Sequence, residues 1–245
     1  MINVISSEFY KIFKSRIFYV ISIIFLAMNC ISLAASLYLK LKGQMNTTGF
    51  SMYQESYGQD LAFYVILMFV VSLITSEYTN GSIKQMACHG IARWKLVLGQ
   101  YIAMSSSITI ILLSFGVLNL FIYTILYRLG EANAVSFIRM NIGLICMFWA
   151  MSGIGTFLSY LIKSVSVSII VSILLIIGSN FISGLLTVLT KNDVFTTYSL
   201  ASMRKTIINF NSQPEDVIKC SIIFLLIGIA SLLGSSLLFS KKDID

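Results

Sequence analysis

The side chains with chemistry to offer are few and scattered. His89 is the only histidine, and the four cysteines stand at 30, 88, 146 and 220 without a CxxC spacing. Neither a multi-histidine metal site nor a paired-histidine catalytic system can be built from them. Cys30 and Cys146 lie in apolar blocks, Cys88 in a basic polar segment and Cys220 at a block edge, positions that read as small apolar filler rather than a disulfide framework. Asp60, Glu77 and His89 are isolated candidates for acid–base work and form no constellation. The chain contains no Gly-x-x-x-x-Gly-Lys-Ser/Thr loop to hold nucleotide phosphates. No catalytic residue, metal ligand or cofactor site is therefore expected in the chain itself, and the substrate-binding residues are not legible.

What stands out instead is a patterned polar stretch from Glu77 to Lys95. Asn80-Gly81 marks a turn. Ser82 can cap a short helix carrying Ile83, Met86 and Ala87 on one face and Lys84 beside them, and Gly90 can end it. Arg93, Trp94 and Lys95 then suit a lipid headgroup layer, the ring for its amphipathic character and the cations by snorkelling. A link that only reconnected two helices could be shorter and less patterned, so this segment reads as a docking element.

The elements that must position it are membrane spans. With 57% hydrophobic and 11% charged residues over 245 positions, and a mean hydropathy of +0.89, the chain is far from the make-up of a water-soluble domain. About 20 apolar residues cross the hydrocarbon as a helix. Six stretches approach or exceed that: Ile17–Leu39, Leu61–Thr75, Val97–Leu126, Asn141–Ile162, Val167–Leu189 and Val217–Phe239. The second is short, so its helix is expected to start near Tyr57 and run over 57–76, with Asp60 at the membrane boundary. The first extends too far to be a signal-peptide core and is expected to stay as a span. The fold expected is an all-α polytopic membrane protein of six helices forming one transmembrane domain over 1–245, with spans at about 17–39, 57–76, 97–126, 141–162, 167–189 and 217–239.

An even number of spans puts both ends on one side. The 17 lysines and arginines divide almost evenly between the two sides, but those on the terminus-bearing side crowd into shorter loops, while the other side holds six of the 10 acidic residues (Glu55, Asp60, Glu131, Asp193, Glu215 and Asp216). That balance favours both termini inside. The net charge of +7 accordingly belongs to topology and anionic lipid, not to nucleic acid. Ahead of the first span, Ile2, Val4, Ile5, Phe9, Ile12 and Phe13 recur at helical spacing, with Asn3, Ser6, Ser7, Glu8, Lys11 and Lys14 opposite. They predict an amphipathic helix lying on the membrane surface. The span cores carry no Asp, Glu, Lys, Arg or His, which argues against proton relays, ion sites and voltage sensors. Small residues four apart (Ser152 and Thr156, Ser179 and Ser183, Asn180 and Gly184, Ala230 and Gly234, Ser231 and Ser235) read mainly as packing points.

The surface helix, the six spans and the stretch from Glu77-Tyr78-Thr79-Asn80-Gly81-Ser82-Ile83-Lys84 through Gly90-Ile91-Ala92-Arg93-Trp94-Lys95 to Gly99 resemble the ABC-2 family of transporter permeases. The likeness in architecture covers the whole chain, and in sequence it is sharpest over residues 76–99. Small size and the lack of a large ectodomain make the chain similar to permeases of lantibiotic immunity and bacitracin-type resistance. The resemblance implies a bacterial plasma-membrane protein in which two permeases, identical or related, pair on two cytosolic ABC ATPase subunits that carry the ATP and Mg. It implies a coupling helix over Asn80–Gly90 resting in an ATPase groove, with Glu77 beside it, Arg93 at its exit, and the surface helix (Phe9, Ile12 and Phe13) flanking the contact. The turn Lys163-Ser164-Val165-Ser166 would be a smaller contact, and spans two and five would face the partner permease. Met86-Ala87-Cys88-His89 stands where relatives often place a proline after the helix. The expected cargo is an amphipathic antimicrobial peptide, expelled for self-protection. The alternatives are export of another amphipathic or lipid-like molecule, a membrane-embedded lipid-modifying enzyme, and a scaffold.

Overall fold

The computed structural model describes residues 2–42, 48–58, 60–83 and 92–241. Among them the regular structure is helical throughout. It comprises α1 (Ile2–Lys14), α2 (Arg16–Leu41), α3 (Gly49–Gly58), α4 (Leu61–Thr79), α5 (Arg93–Leu126), α6 (Ala134–Ile162), α7 (Val165–Thr190), α8 (Val194–Thr197), α9 (Leu200–Ile208) and α10 (Pro214–Lys241). Five of these, α2, α5, α6, α7 and α10, are long and apolar enough to cross a membrane, and α3 with Phe63–Thr79 of α4 makes a sixth only as a pair bent by 53°.

The expectation of one helix starting near Tyr57 is corrected by that bend. Tyr57 belongs to α3, and α4 starts behind Asp60 at its N-cap position. Tertiary anchoring is the cause. Tyr57 donates to the Leu112 carbonyl of α5 at 3.0 Å, and Tyr53 donates to Asn141 Oδ1 of α6 at 2.5 Å. Both rings are buried, which holds α3 across the bundle instead of in line with α4.

Burial identifies the centre. Two-thirds (67%) of the most apolar window of α6 is buried, against 6% for α2 and 17% for α7. Helix α6 packs most extensively on α10 and next on α4. The seam with α10 is close because Gly153 faces Gly228, where a Cβ on Gly153 would stand 3.1 Å from the Gly228 carbonyl oxygen and 3.2 Å from its Cα. Ser152 and Thr156 are buried in α6 and donate to carbonyls of their own helix at 2.8 Å, the packing role their spacing predicts. By contrast α2 and α7 expose Ile23, Leu26 and Ile31, and Leu174, Ile177 and Phe181, apolar flanks left for lipid or another chain.

Local signals explain the helix ends. Ser15 caps α2 by accepting from the Phe18 N–H at 3.2 Å, so α1 passes into α2 through one residue. Asn133 caps α6, which starts ahead of the apolar stretch that foretold it and ends at Lys163 in a left-handed conformation with φ of 60°. Pro214 opens α10 with Glu215 and Asp216 in its first turn. Between α7 and α10 the chain forms two short helices, α8 and α9.

The two described ends of the chain meet at one end of the bundle. Helix α1 packs on the start of α5, where a Cβ on Gly99 would stand 2.8 Å from Val4 Cγ1, and Arg93 reaches the Phe239 carbonyl at the end of α10. Helix α1 is amphipathic as expected, but its buried face is turned from that reading. Glu8, placed on the polar side by residue type, is fully buried with Ile12, whereas Phe13 is 45% exposed. The reason is a partner for Glu8 that turns inward with it, drawn there by a second carboxylate on α4.

Candidate functional site

That partner is Lys11, one turn further along α1. Its ammonium lies 2.7 Å from Glu8 Oε1 and 3.1 Å from Glu77 Oε1 in the last turn of α4. The second oxygen of Glu77 accepts from the Gln100 side-chain amide of α5, and Gln100 Oε1 accepts from the Tyr160 hydroxyl of α6 at 2.5 Å. Gln100 and Tyr160 are buried. A continuous polar chain thus runs Glu8, Lys11, Glu77, Gln100, Tyr160 and ties α1, α4, α5 and α6 together at the end that carries both termini.

The electrostatics fit a structural junction. Burial by itself lowers the affinity of the Lys11 ammonium for its proton, but its hydrogen bond to Glu8 and the fields of Glu77 and Glu8 outweigh it and hold the group above the ordinary lysine value. Two carboxylates share this one ammonium, so loss of the lysine would take from Glu8 its ion-pair partner and leave Glu77 with the Gln100 amide. Aromatic contacts carry the junction further. Tyr78 meets Tyr160 edge to face at 5.6 Å, Lys163 Nζ lies 5.6 Å from the Tyr78 ring centre, and Tyr160 lies against Phe239 at 5.1 Å. The turn at Lys163 and the segment after α4, separate in sequence, therefore flank the same tyrosine.

The chain leaves this junction toward the patterned polar stretch. Asn80 closes α4, its N–H bonding to the Ser76 carbonyl at 3.0 Å, and is exposed. Gly81 has φ of 70°, which favours glycine and makes the turn that Asn-Gly foretold. The Ser82 hydroxyl donates to the Glu77 carbonyl at 3.3 Å, and Ile83 is fully buried. Lys84, Met86, Ala87 and Gly90 lie outside the described residues. On the return, Arg93 Nη1 donates to the carbonyls of Phe239 at 3.2 Å and Ser240 at 3.1 Å, a side-chain cap on the end of α10. Replacing Arg93 with glutamine is expected to cost about 1 kcal/mol and to fray α10, read as faster tryptic trimming after Lys241. Of the residues expected on a surface helix, Ile12 is buried, Phe9 is half-buried against the core, and Phe13 stacks on Phe9 with ring centres 6.2 Å apart.

Sequence reasoning named Glu77 but missed Glu8, Gln100 and Tyr160 as its neighbours. The available signal was Gln100 itself, an amide set in the run Leu96-Val97-Leu98-Gly99, where a buried polar group demands a partner. At the opposite end a second ion pair, with its arginine buried and its aspartate partly exposed, was also missed. Arg204 of α9 lies 2.8 Å from Asp60 and 4.9 Å from the Phe63 ring centre, fastening α9 to the start of α4.

Among the described residues, the arrangement around Glu77 has no nucleophile, metal-ligand set or acid–base pair aimed at an open cleft. Directional bonds there join α1, α4, α5 and α6. Residues 4–179 match the family model described as ABC-2 family transporter protein, a stretch that contains every member of the polar chain. No curated protein matches the chain.

Proposed function

The chain belongs to the ABC-2 transporter family, and on that premise we propose that it is the permease of an ATP-driven exporter in the bacterial plasma membrane. It pairs with a second permease, identical or related, on two cytosolic ABC ATPase subunits that bind ATP and Mg. Both termini face the cytosol, and the bent pair α3 and α4 counts as the second of six spans. Residues 80–90 dock in the ATPase, the surface helix α1 and the turn at Lys163 flank the dock, and an amphipathic antimicrobial peptide is the cargo. The observation that supports this most is the polar chain from Glu8 to Tyr160. It stands where a movement of the docked segment would have to enter the spans, and it joins the helices that must move together.

The test is co-expression with the candidate ATPase after replacing 80–90 by a Gly/Ser linker of equal length, with membrane abundance measured in parallel. Normal abundance with lost co-purification and lost ATPase stimulation is the expected result. If assembly and stimulation survive the replacement, the docking assignment is wrong. A lipid-like cargo is the second reading. It is favoured by an open groove of about 530 Å³ between α6 and α10, lined by Ile138, Ile142, Ile218 and Ile222, with Arg139 on its wall.

A further inference from the structure

A cavity of about 160 Å³ lies between α2, α3, α4 and α5, away from the Glu77 junction. Its walls include Phe25 and Phe115, stacked with ring centres 5.4 Å apart, and Met52 of α3. The donors in its lining are engaged within the protein: Tyr57 donates to the Leu112 carbonyl, Ser56 to that of Met52, Asn29 to that of Phe25 and Ser32 to that of Asn29. Asn119, only 7% exposed, spends its amide on the Ser56 hydroxyl at 2.8 Å, and its Oδ1 has no partner among the described residues. Glu55, exposed on α3, adds a carboxylate to the lining. The described lining residues include no Lys, Arg or His.

An orphaned buried acceptor is a standing cost that a donor would remove. A carboxylate in the same lining favours a donor with positive charge, and aromatic faces accept a cation in addition. We propose that this cavity is a binding site for the ammonium group of a cationic amphiphilic peptide, with a lysine side chain of the cargo entering past Glu55 to donate to Asn119 Oδ1. A zwitterionic lipid headgroup fits less well, because its phosphate would come to lie near Glu55 with no described basic lining residue to meet it. The choice of a peptide rests on the exporter reading above, but the site can be tested without an ATPase, so its failure and the failure of that reading are separable.

The full chain in phosphatidylcholine nanodiscs is titrated with a fluorescein-labelled amphipathic peptide of leucine and lysine, followed by anisotropy with empty discs subtracted. Glu55→Gln is expected to weaken binding roughly tenfold, and Asn119→Asp to strengthen it. A twin peptide with glutamine for every lysine should be insensitive to both, and Glu131→Gln, an exposed carboxylate outside the lining, should leave binding of the lysine peptide unchanged. Equal binding of the glutamine twin, or equal weakening by Glu131→Gln, would overturn the proposal, as would unchanged affinity in both lining variants. Displacement of the peptide by dodecylphosphocholine more readily than by dodecyltrimethylammonium would assign the cavity to a lipid headgroup and overturn it equally.

Discussion

Replacing Lys11 with methionine is expected to lower the stability of the solubilised protein by about 2 kcal/mol and its Tm by about 5 °C. Methionine keeps most of the length and apolar stem of the lysine, so the change isolates the ammonium. Glu8 has a fully buried side chain, Glu77 is 12% exposed and Lys11 is 37% exposed. Removing one member of a wholly buried ion pair typically costs about 3–5 kcal/mol, because the charge left behind has no water to return to. The partial exposure of Lys11 lets solvent reach its own end of the pair, which is why the smaller figure applies here. The diagnostic step is a cycle. Glu8→Leu introduced on top of Lys11→Met removes the carboxylate that has lost its ion-pair partner and should recover part of the loss, so the double variant is more stable than the sum of the singles requires. Simple additivity of the two changes, measured by thermal unfolding, would mean that Glu8 and Lys11 do not act as a pair. With the ATPase present, Lys11→Met should also reduce ATPase stimulation at normal membrane abundance, since α1 would no longer be tied to α4.

The difference between Glu8 and Ile12 shows what a single sequence does and does not disclose. Helix periodicity placed a helix over the first residues of the chain, and Ile2–Lys14 is one. It could not tell that a glutamate would face inward, because the ammonium of Lys11 that Glu8 meets is also bound by a second carboxylate, Glu77, 69 positions away in the chain. The long spans were legible for the opposite reason: a run of about 20 apolar residues needs no partner to declare itself. Helix α6 began earlier than its apolar run because Asn133 supplies the cap and Arg139 interrupts the hydropathy without interrupting the helix. Helix α3 was the least legible element. Its sequence, Gly-Phe-Ser-Met-Tyr-Gln-Glu-Ser-Tyr-Gly, has neither a clean apolar stripe nor a span's length, and its two tyrosines are buried only because α5 and α6 receive them.

That dependence makes Gly116 the position of greatest expected sensitivity in the half of the bundle opposite the Glu77 junction. A Cβ there would stand 1.8 Å from the Tyr57 hydroxyl oxygen, 2.7 Å from its Cζ and 2.9 Å from Cε2 of Tyr53. Neither ring can yield cheaply. Tyr57 is 2% exposed and bonded to the Leu112 carbonyl, and Tyr53 is fully buried and bonded to Asn141. Moving either ring breaks a buried hydrogen bond as well as its packing, whereas an added methyl group in a forgiving site costs little. Gly116→Ala is therefore expected to cost about 3 kcal/mol or more and to unseat α3 while leaving the α6 and α10 seam intact. In a background with the native cysteines replaced, Met52→Cys reports the event, because Met52 is buried on α3. Alkylation should be slow with Gly116 present and fast with alanine there. Tyr57→Leu removes the ring that collides, so combining it with Gly116→Ala should restore slow alkylation, at the expense of the hydrogen bond to Leu112. If alanine at 116 leaves Met52→Cys protected, α3 is not held by the Tyr57 contact, and the cavity it walls would need another support.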